Sequence, residues 1–237
     1  MEPPSGIALT VIMVCLTVAT GVLDAVSFLS LGQVFTATQT GNLLFLGFGI
    51  AGQGGLPVLA TVVSLGAFAL GAALGARWES ALAVRRRQWF PVALATEATL
   101  LAGAAVAAWE WGPVRGLPQG RRLVVVGLMA VAMGMRNVTA IRTAAPDFTT
   151  TVETRAMTAL VSGSPLGHDK RLGYGSHVAG RRLVSVSAMF AGGLLGAGLL
   201  GLGTRPTLVI LLVALVIAAT AFLVPGLAGR LGPTEEG

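Results

Sequence analysis

The sequence is poor in charge and nearly devoid of cysteine, histidine and tyrosine. Asp, Glu, Lys and Arg make up 11% of its 237 residues, against about 25% in soluble domains. That is too little polar surface to coat a water-soluble globule. The single cysteine, Cys15, excludes an intramolecular disulfide and a thiolate metal cluster. It lies inside an apolar run, where it is expected to be a small buried hydrophobe. The two histidines, His168 and His177, share a basic loop without a carboxylate constellation, and no metal site is expected from them. Also missing are a nucleophile elbow, a phosphate-binding loop, a paired-histidine helix and a Cys-x-x-Cys motif. No catalytic residue, cofactor or metal is therefore expected, and the chain does not read as an enzyme. Aromatic residues are only 6% and are not interleaved with basic ones. The net charge of +6 thus gives no nucleic-acid signature. The opening "MEPPSG" lacks the basic region of a signal peptide, so the first apolar run is expected to stay in the mature protein.

What the sequence has instead is apolar length. Hydrophobic residues reach 54% and glycines number 33. Six runs, near 8–31, 57–76, 90–109, 122–143, 183–203 and 207–225, match the roughly 18 or more apolar residues of a membrane span. Small residues such as glycine let spans pack closely where lipid removes the hydrophobic drive between them. Pro57, Pro91 and Pro206 stand at the starts of their runs, where a missing N–H costs nothing. Two shorter segments, 40–52 and 150–163, each follow a threonine-rich break. Basic residues gather in "ARWESALAVRRRQ" and "HDKRLGYGSHVAGRR". The positive-inside rule puts both in the cytoplasm. Six crossings plus two broken or re-entrant pieces satisfy it, with both termini cytoplasmic in a multi-pass protein of the inner membrane.

An internal repeat organises these pieces. "GVLDAVSFLSLGQVFTATQTGN" from Gly21 matches "GMRNVTAIRTAAPDFTTTVETR" from Gly134, pairing Asp24 with Asn137, Phe35 with Phe148 and Thr38 with Thr151. "FALGAALG" from Phe68 resembles "FAGGLLGAG" from Phe190 at an offset larger by nine. The expected fold is an all-α polytopic membrane protein. It has one membrane domain over 1–237, with a first repeat at 8–112, a second at 121–227 and a disordered tail at 228–237. Three crossings per repeat reverse the second relative to the first, giving an inverted-topology repeat.

Non-helical backbone is tolerated at membrane depth only against protein or a watery cavity. The break "FTATQTGN" supplies Thr36, Thr38 and Thr40 hydroxyls, the permissive Gly41 and the donor–acceptor amide of Asn42. A half-helix starting near Thr40 would aim its positive end inward. Ordinary loops ending in N-caps are the alternative. Asp24 and Arg136 lie deep in their runs, where an ionisable residue is a functional candidate. Repeat symmetry is expected to bring Asp24 near Asn137 and to allow an Asp24–Arg136 pair. That pair would either fix helix register or let the carboxylate carry a proton. Glu97, seven residues into the third run, faces either the cavity or the cytoplasmic end. Gly71-x-x-x-Gly75 and Gly192-x-x-x-Gly196 are expected to be close-packing motifs, within the chain or between copies of a homo-oligomer.

The segment "GVLDAVSFLSLGQVFTATQTGNLLFLG" resembles the N-terminal signature of the YoaK family of bacterial membrane proteins. It carries Gly21, Asp24, Ala25, Phe35, Thr40, Gly41 and Asn42; "MGMRN" is similar to the family's second-half motif. Where the family repeats Thr-Gly-Thr, this chain has Val152-Glu153-Thr154-Arg155. The resemblance implies a membrane protein with an internal repeat and names no substrate. The function expected is a secondary transporter or permease for a small polar solute, anionic or zwitterionic. Its midplane site would comprise Asp24, Thr38, Thr40, Gly41, Asn42, Arg136, Asn137 and Thr151, with Asp24 or Glu97 as coupling residue. The partners are the lipid bilayer and a small solute or ion, not nucleic acid. A channel and a non-transporting scaffold are the alternatives.

Overall fold

A computed structural model describes residues 6–84, 88–109, 117–143, 158, 161 and 176–230. Among them run seven helices: α1 (Gly6–Ser30), α2 (Gln39–Ile50), α3 (Val58–Val84), α4 (Trp89–Ala107), α5 (Gln119–Arg142), α6 (Ser176–Gly201) and α7 (Pro206–Arg230). All but α2 are long and apolar enough to cross a bilayer. The chain is a multi-pass helical membrane protein. With 12 residues, α2 extends about 18 Å, too short for a hydrocarbon core of about 30 Å. Of the second short segment, 150–163, all but 158 and 161 lie outside the described residues, as do Arg85–Arg87 and Thr151.

Local chemistry sets the boundaries. Pro118 is the N-cap of α5 and Pro206 the first residue of α7. After α1, Gly32 (φ +98°) and Gln33 (φ +57°) turn the chain out of the helix. Large apolar side chains cover the outside: Ile50, Phe190, Leu215 and Phe222 are exposed, as lipid-facing positions require. Cys15 is also exposed, so it faces outward and not into the core as the sequence suggested.

The helices associate in a particular pattern: α1 packs on α6, α3 on α5, and α4 on both α5 and α7. Glycine makes the first two contacts. A Cβ on Gly71 would collide with the backbone of Val131, and one on Gly192 with the backbone of Val18. Gly75 meets Met135 as Gly196 meets Val22; Gly134 meets Phe68 and Ala72 as Gly21 meets Met189 and Gly193. Val131 lies 113 residues after Val18, and Gly192 lies 121 after Gly71; the same two offsets relate every one of these contacts. The alignment of Phe68 with Phe190 is therefore out of register by one residue. Backbone approach at glycine fixes the register, whereas Phe190 faces outward. The contact series ascend together, so α3 runs parallel to α5 and α1 parallel to α6. Gly32, just past the end of α1, sits against Arg122 at the start of α5. Hence α1 and α5 are antiparallel.

One boundary departs from the sequence reading. The second span was expected to end near 76, with Arg77 and Glu79 in a loop. α3 instead continues to Val84, because Glu79 is wholly buried and paired.

Candidate functional site

Polar side chains gather at two levels of the bundle. The first surrounds the break between α1 and α2. Residues 31–38 are not helical, so their N–H groups need partners inside an apolar medium. Asp24 supplies them. Its Oδ1 accepts from the N–H groups of Thr36 (3.0 Å) and Ala37 (2.9 Å) and from the Thr36 hydroxyl (3.4 Å). Its Oδ2 accepts from the Thr38 N–H (3.0 Å) and hydroxyl (2.6 Å). Thr38 occupies the N-cap of α2 without capping it by its side chain, since that hydroxyl is engaged by Asp24.

Asn42 clamps the same break from the other side. Its Oδ1 accepts from the Phe35 N–H (3.0 Å), and its Nδ2 donates to the Phe35 carbonyl (2.7 Å). That amide also donates to Gln39 Oε1 (2.8 Å) and Ser64 Oγ (3.2 Å), while Ser64 donates to the Phe35 carbonyl (2.6 Å). Gly41 leaves room for the Phe35 ring, which a Cβ there would approach to 3.0 Å. Phe28, Phe35 and Phe45 form a three-ring cluster, with centroids 4.9 Å (Phe28–Phe35), 5.8 Å (Phe35–Phe45) and 6.1 Å (Phe28–Phe45) apart. Thr40 is exposed in the first turn of α2. Asp24 and Asn42 thus hold a non-helical segment in one shape.

The second level meets α1 at Leu16 and Thr20, on the turns before Asp24. Glu97 of α4 and Arg136 of α5 form an ion pair, 2% and 8% exposed. Arg136 Nη1 also donates to the Leu16 carbonyl (2.6 Å) and to the Thr20 hydroxyl (2.9 Å) on α1. Its Nε is buried and has no hydrogen-bond partner among the described residues. Beside the guanidinium is a cavity of about 20 Å³ lined by Met13, Leu16, Thr17, Thr20, Arg136, Thr139 and Ala140. That is room for about one water molecule. Thr139 links this cavity to a second buried carboxylate, because its hydroxyl donates to Glu79. Arg142 Nε closes on Glu79 at 3.0 Å, and the Arg142 guanidinium lies 5.8 Å from the centre of the Trp89 ring.

The expected Asp24–Arg136 pair is not formed. Asp24 lies six residues before the end of α1, and Arg136 six before the end of α5. Arg136 reaches α1 at Leu16 and Thr20, on the turns just before Asp24, and pairs with Glu97, whereas Asp24 spends both oxygens on the Thr36–Thr38 segment. Glu97 does not reach outward, since it is buried against Arg136, but it is not among the residues that line the cavity. Asn137 is half-buried on the neighbouring face of α5. Sequence reasoning missed Glu79, Ser64, Gln39, Thr20 and Thr139. Ser64, a lone hydroxyl in the apolar "VVSLG", was the one legible signal. Among the described residues no three His, Cys, Asp or Glu side chains group as a metal site. His168 and Asp169 lie outside the described residues, and the placement of the His177 side chain is not described either.

Residues 12–223 match the family model of a protein of unknown function, DUF1275. The chain belongs to that family, consistent with the resemblance drawn from its motifs. No curated protein matches it, and no solved structure does.

Proposed function

We propose that the chain is a small secondary transporter or permease of the cytoplasmic membrane. It would carry a small polar solute, anionic or zwitterionic, at the junction of two inverted repeats. The observation that carries this reading is Arg136. A permanent charge, 8% exposed, faces a cavity between α1 and α5 while its counter-charge comes from α4. Ionisable groups at such depth are costly and mark solute or ion pathways.

The repeat reading is supported by the matched contacts. α1, α3 and α4 form one unit; α5, α6 and α7 form the other. The α1–α6 and α3–α5 contacts recur at offsets of 113 and 121 residues. Three crossings per unit invert the second. In this reading α2 is a re-entrant half-helix, 150–163 is its counterpart, and the basic loops put the Arg142 face and both termini in the cytoplasm. Gly71, Gly75, Gly192 and Gly196 are covered within the chain, so a homo-oligomer would need another surface.

Roles divide by level. Asp24, Thr38, Gly41 and Asn42 keep the break in shape. Solute binding falls to Arg136 with the hydroxyls of Thr17, Thr20 and Thr139. The water-sized cavity corresponds to a closed state, which a carrier must open and a static pore would not have. A scaffold is the second reading, favoured by the full set of partners that Asp24 and Asn42 find inside the chain.

The test is flux into proteoliposomes from a panel of labelled amino acids, monocarboxylates and inorganic phosphate. Saturable uptake of one class, reduced to empty-vesicle background in Arg136→Gln, is expected. Wild-type protein that moves none of them overturns the transporter reading and leaves the scaffold.

A further inference from the structure

We infer that Glu97 is an internal stand-in for the solute: a solute carboxylate takes its place on Arg136 as Glu97 takes up a proton. This rests on the transporter reading and adds the solute's reactive group and its coupling.

Charge balance is the starting point. A guanidinium does not lose its proton in proteins, so Arg136 needs an anion beside it whenever the bundle is dry. In the closed state that anion is Glu97. Among the described residues the other acidic groups are engaged elsewhere: Glu79 by Thr139 and Arg142, and Asp24 by the Thr36–Thr38 segment. The elements packed on α4 add no further charge at Glu97. α5 presents Arg136, Thr207–Val224 of α7 contain no ionisable side chain, and α3 presents Glu79. On α1, Thr17 and Thr20 line the cavity, and Cys15 faces away.

Geometry then separates two sides of the guanidinium. Glu97 holds Nη2, whereas the cavity lies on the side of Thr17, Thr20 and Thr139, and Nε is buried without a hydrogen bond. An anion entering there meets the guanidinium beside three threonine hydroxyls, which in the closed state donate to Met13, Leu16 and Glu79 and turn toward the anion when it binds. Glu97 occupies the guanidinium with a carboxylate, so a solute carboxylate matches the same planar fork.

With Glu97 ionised, an added monoanion would leave one net negative charge buried, at a cost of several kcal/mol. A proton from the solute's side, bound by the Glu97 carboxylate, cancels it. The pair Arg136⁺/Glu97⁻ becomes Arg136⁺/solute⁻ with neutral Glu97. On release, proton and anion leave together and the ion pair re-forms. Transport is therefore one-to-one proton–monocarboxylate symport with no net charge moved.

The experiment uses purified wild-type protein in weakly buffered detergent, with acetate as the smallest carboxylate probe and chloride as comparator. Acetate binding is measured alongside proton uptake. The expected result is a proton taken up for each acetate bound, none with chloride, and a protonated-carboxyl infrared band absent in Glu97→Gln. Acetate binding without proton uptake, or no acetate binding, overturns the inference even if proteoliposomes show Arg136-dependent flux of another solute class. Proton-linked acetate binding without flux of any solute would keep the exchange and remove the transporter. Because the first measurement needs no variant, a misfolded Glu97→Gln leaves it decisive.

Discussion

Glu97 on α4 and Arg136 on α5 form a buried ion pair that joins two halves of the chain, and the same guanidinium reaches Leu16 and Thr20 on α1. Three helices from both halves meet at one charge. Removing either partner leaves the other charged and dry. Glu97→Gln or Arg136→Gln alone is expected to cost about 3–5 kcal/mol, whereas the double variant costs much less than the sum. Thermal denaturation in detergent checks this, and additive losses would mean that the pair is not coupled.

The close approach at glycine makes a sharper forecast. Gly71→Ala and Gly192→Ala would each push a Cβ into a carbonyl of the neighbouring helix. Overpacking of this kind costs about 1–3 kcal/mol. Gly66→Ala, with open space around the new methyl, is expected to be neutral. Equal melting temperatures for all three would contradict the packing described.

Asp24 accepts the N–H groups of Thr36, Ala37 and Thr38. In Asp24→Ala they lose their acceptor, at about 1–3 kcal/mol for each buried donor left unpaired. Asp24→Asn keeps one acceptor oxygen and is expected to lose less. Hydrogen exchange at residues 36–38 should accelerate in that order; unchanged protection in Asp24→Ala would remove Asp24 from this role.

Much of this was legible in the sequence, for reasons that also mark where legibility ended. A bilayer forces every crossing to be a long apolar helix, so "IALTVIMVCLTV" and its five counterparts announced themselves. The break at 31–38 showed because Thr36, Thr38 and Thr40 cluster just ahead of Asn42, and so many polar side chains are rare in such company. Glu79 stayed hidden because it stands among arginines, where a loop and a helix end look alike. Its partners, Thr139 and Arg142, are 60 and 63 residues away. The Asp24–Arg136 expectation failed for a geometric reason: a sequence offset says which residues correspond, not which side chains meet, and here Asp24 turns to the Thr36–Thr38 backbone while Arg136 turns to Glu97. Glu97 could have been matched with Arg136 by counting turns from the shared face of α4 and α5.

The antiparallel course of α1 and α5 can be read directly. In a Cys15→Ser background, single cysteines at Thr40 and Arg142 are expected to react with a membrane-impermeant maleimide from opposite sides of oriented vesicles. Labelling of both from one side would contradict the antiparallel course of α1 and α5.

The most direct test of a carrier centred on Arg136 is access to its cavity. A cysteine at Thr17, also in the Cys15→Ser background, should react with small charged thiol reagents applied from either side, and added solute should slow both reactions. A Thr17→Cys protein that stays unreactive from both sides, under every solute and pH condition, would contradict a moving site and leave only a sealed bundle.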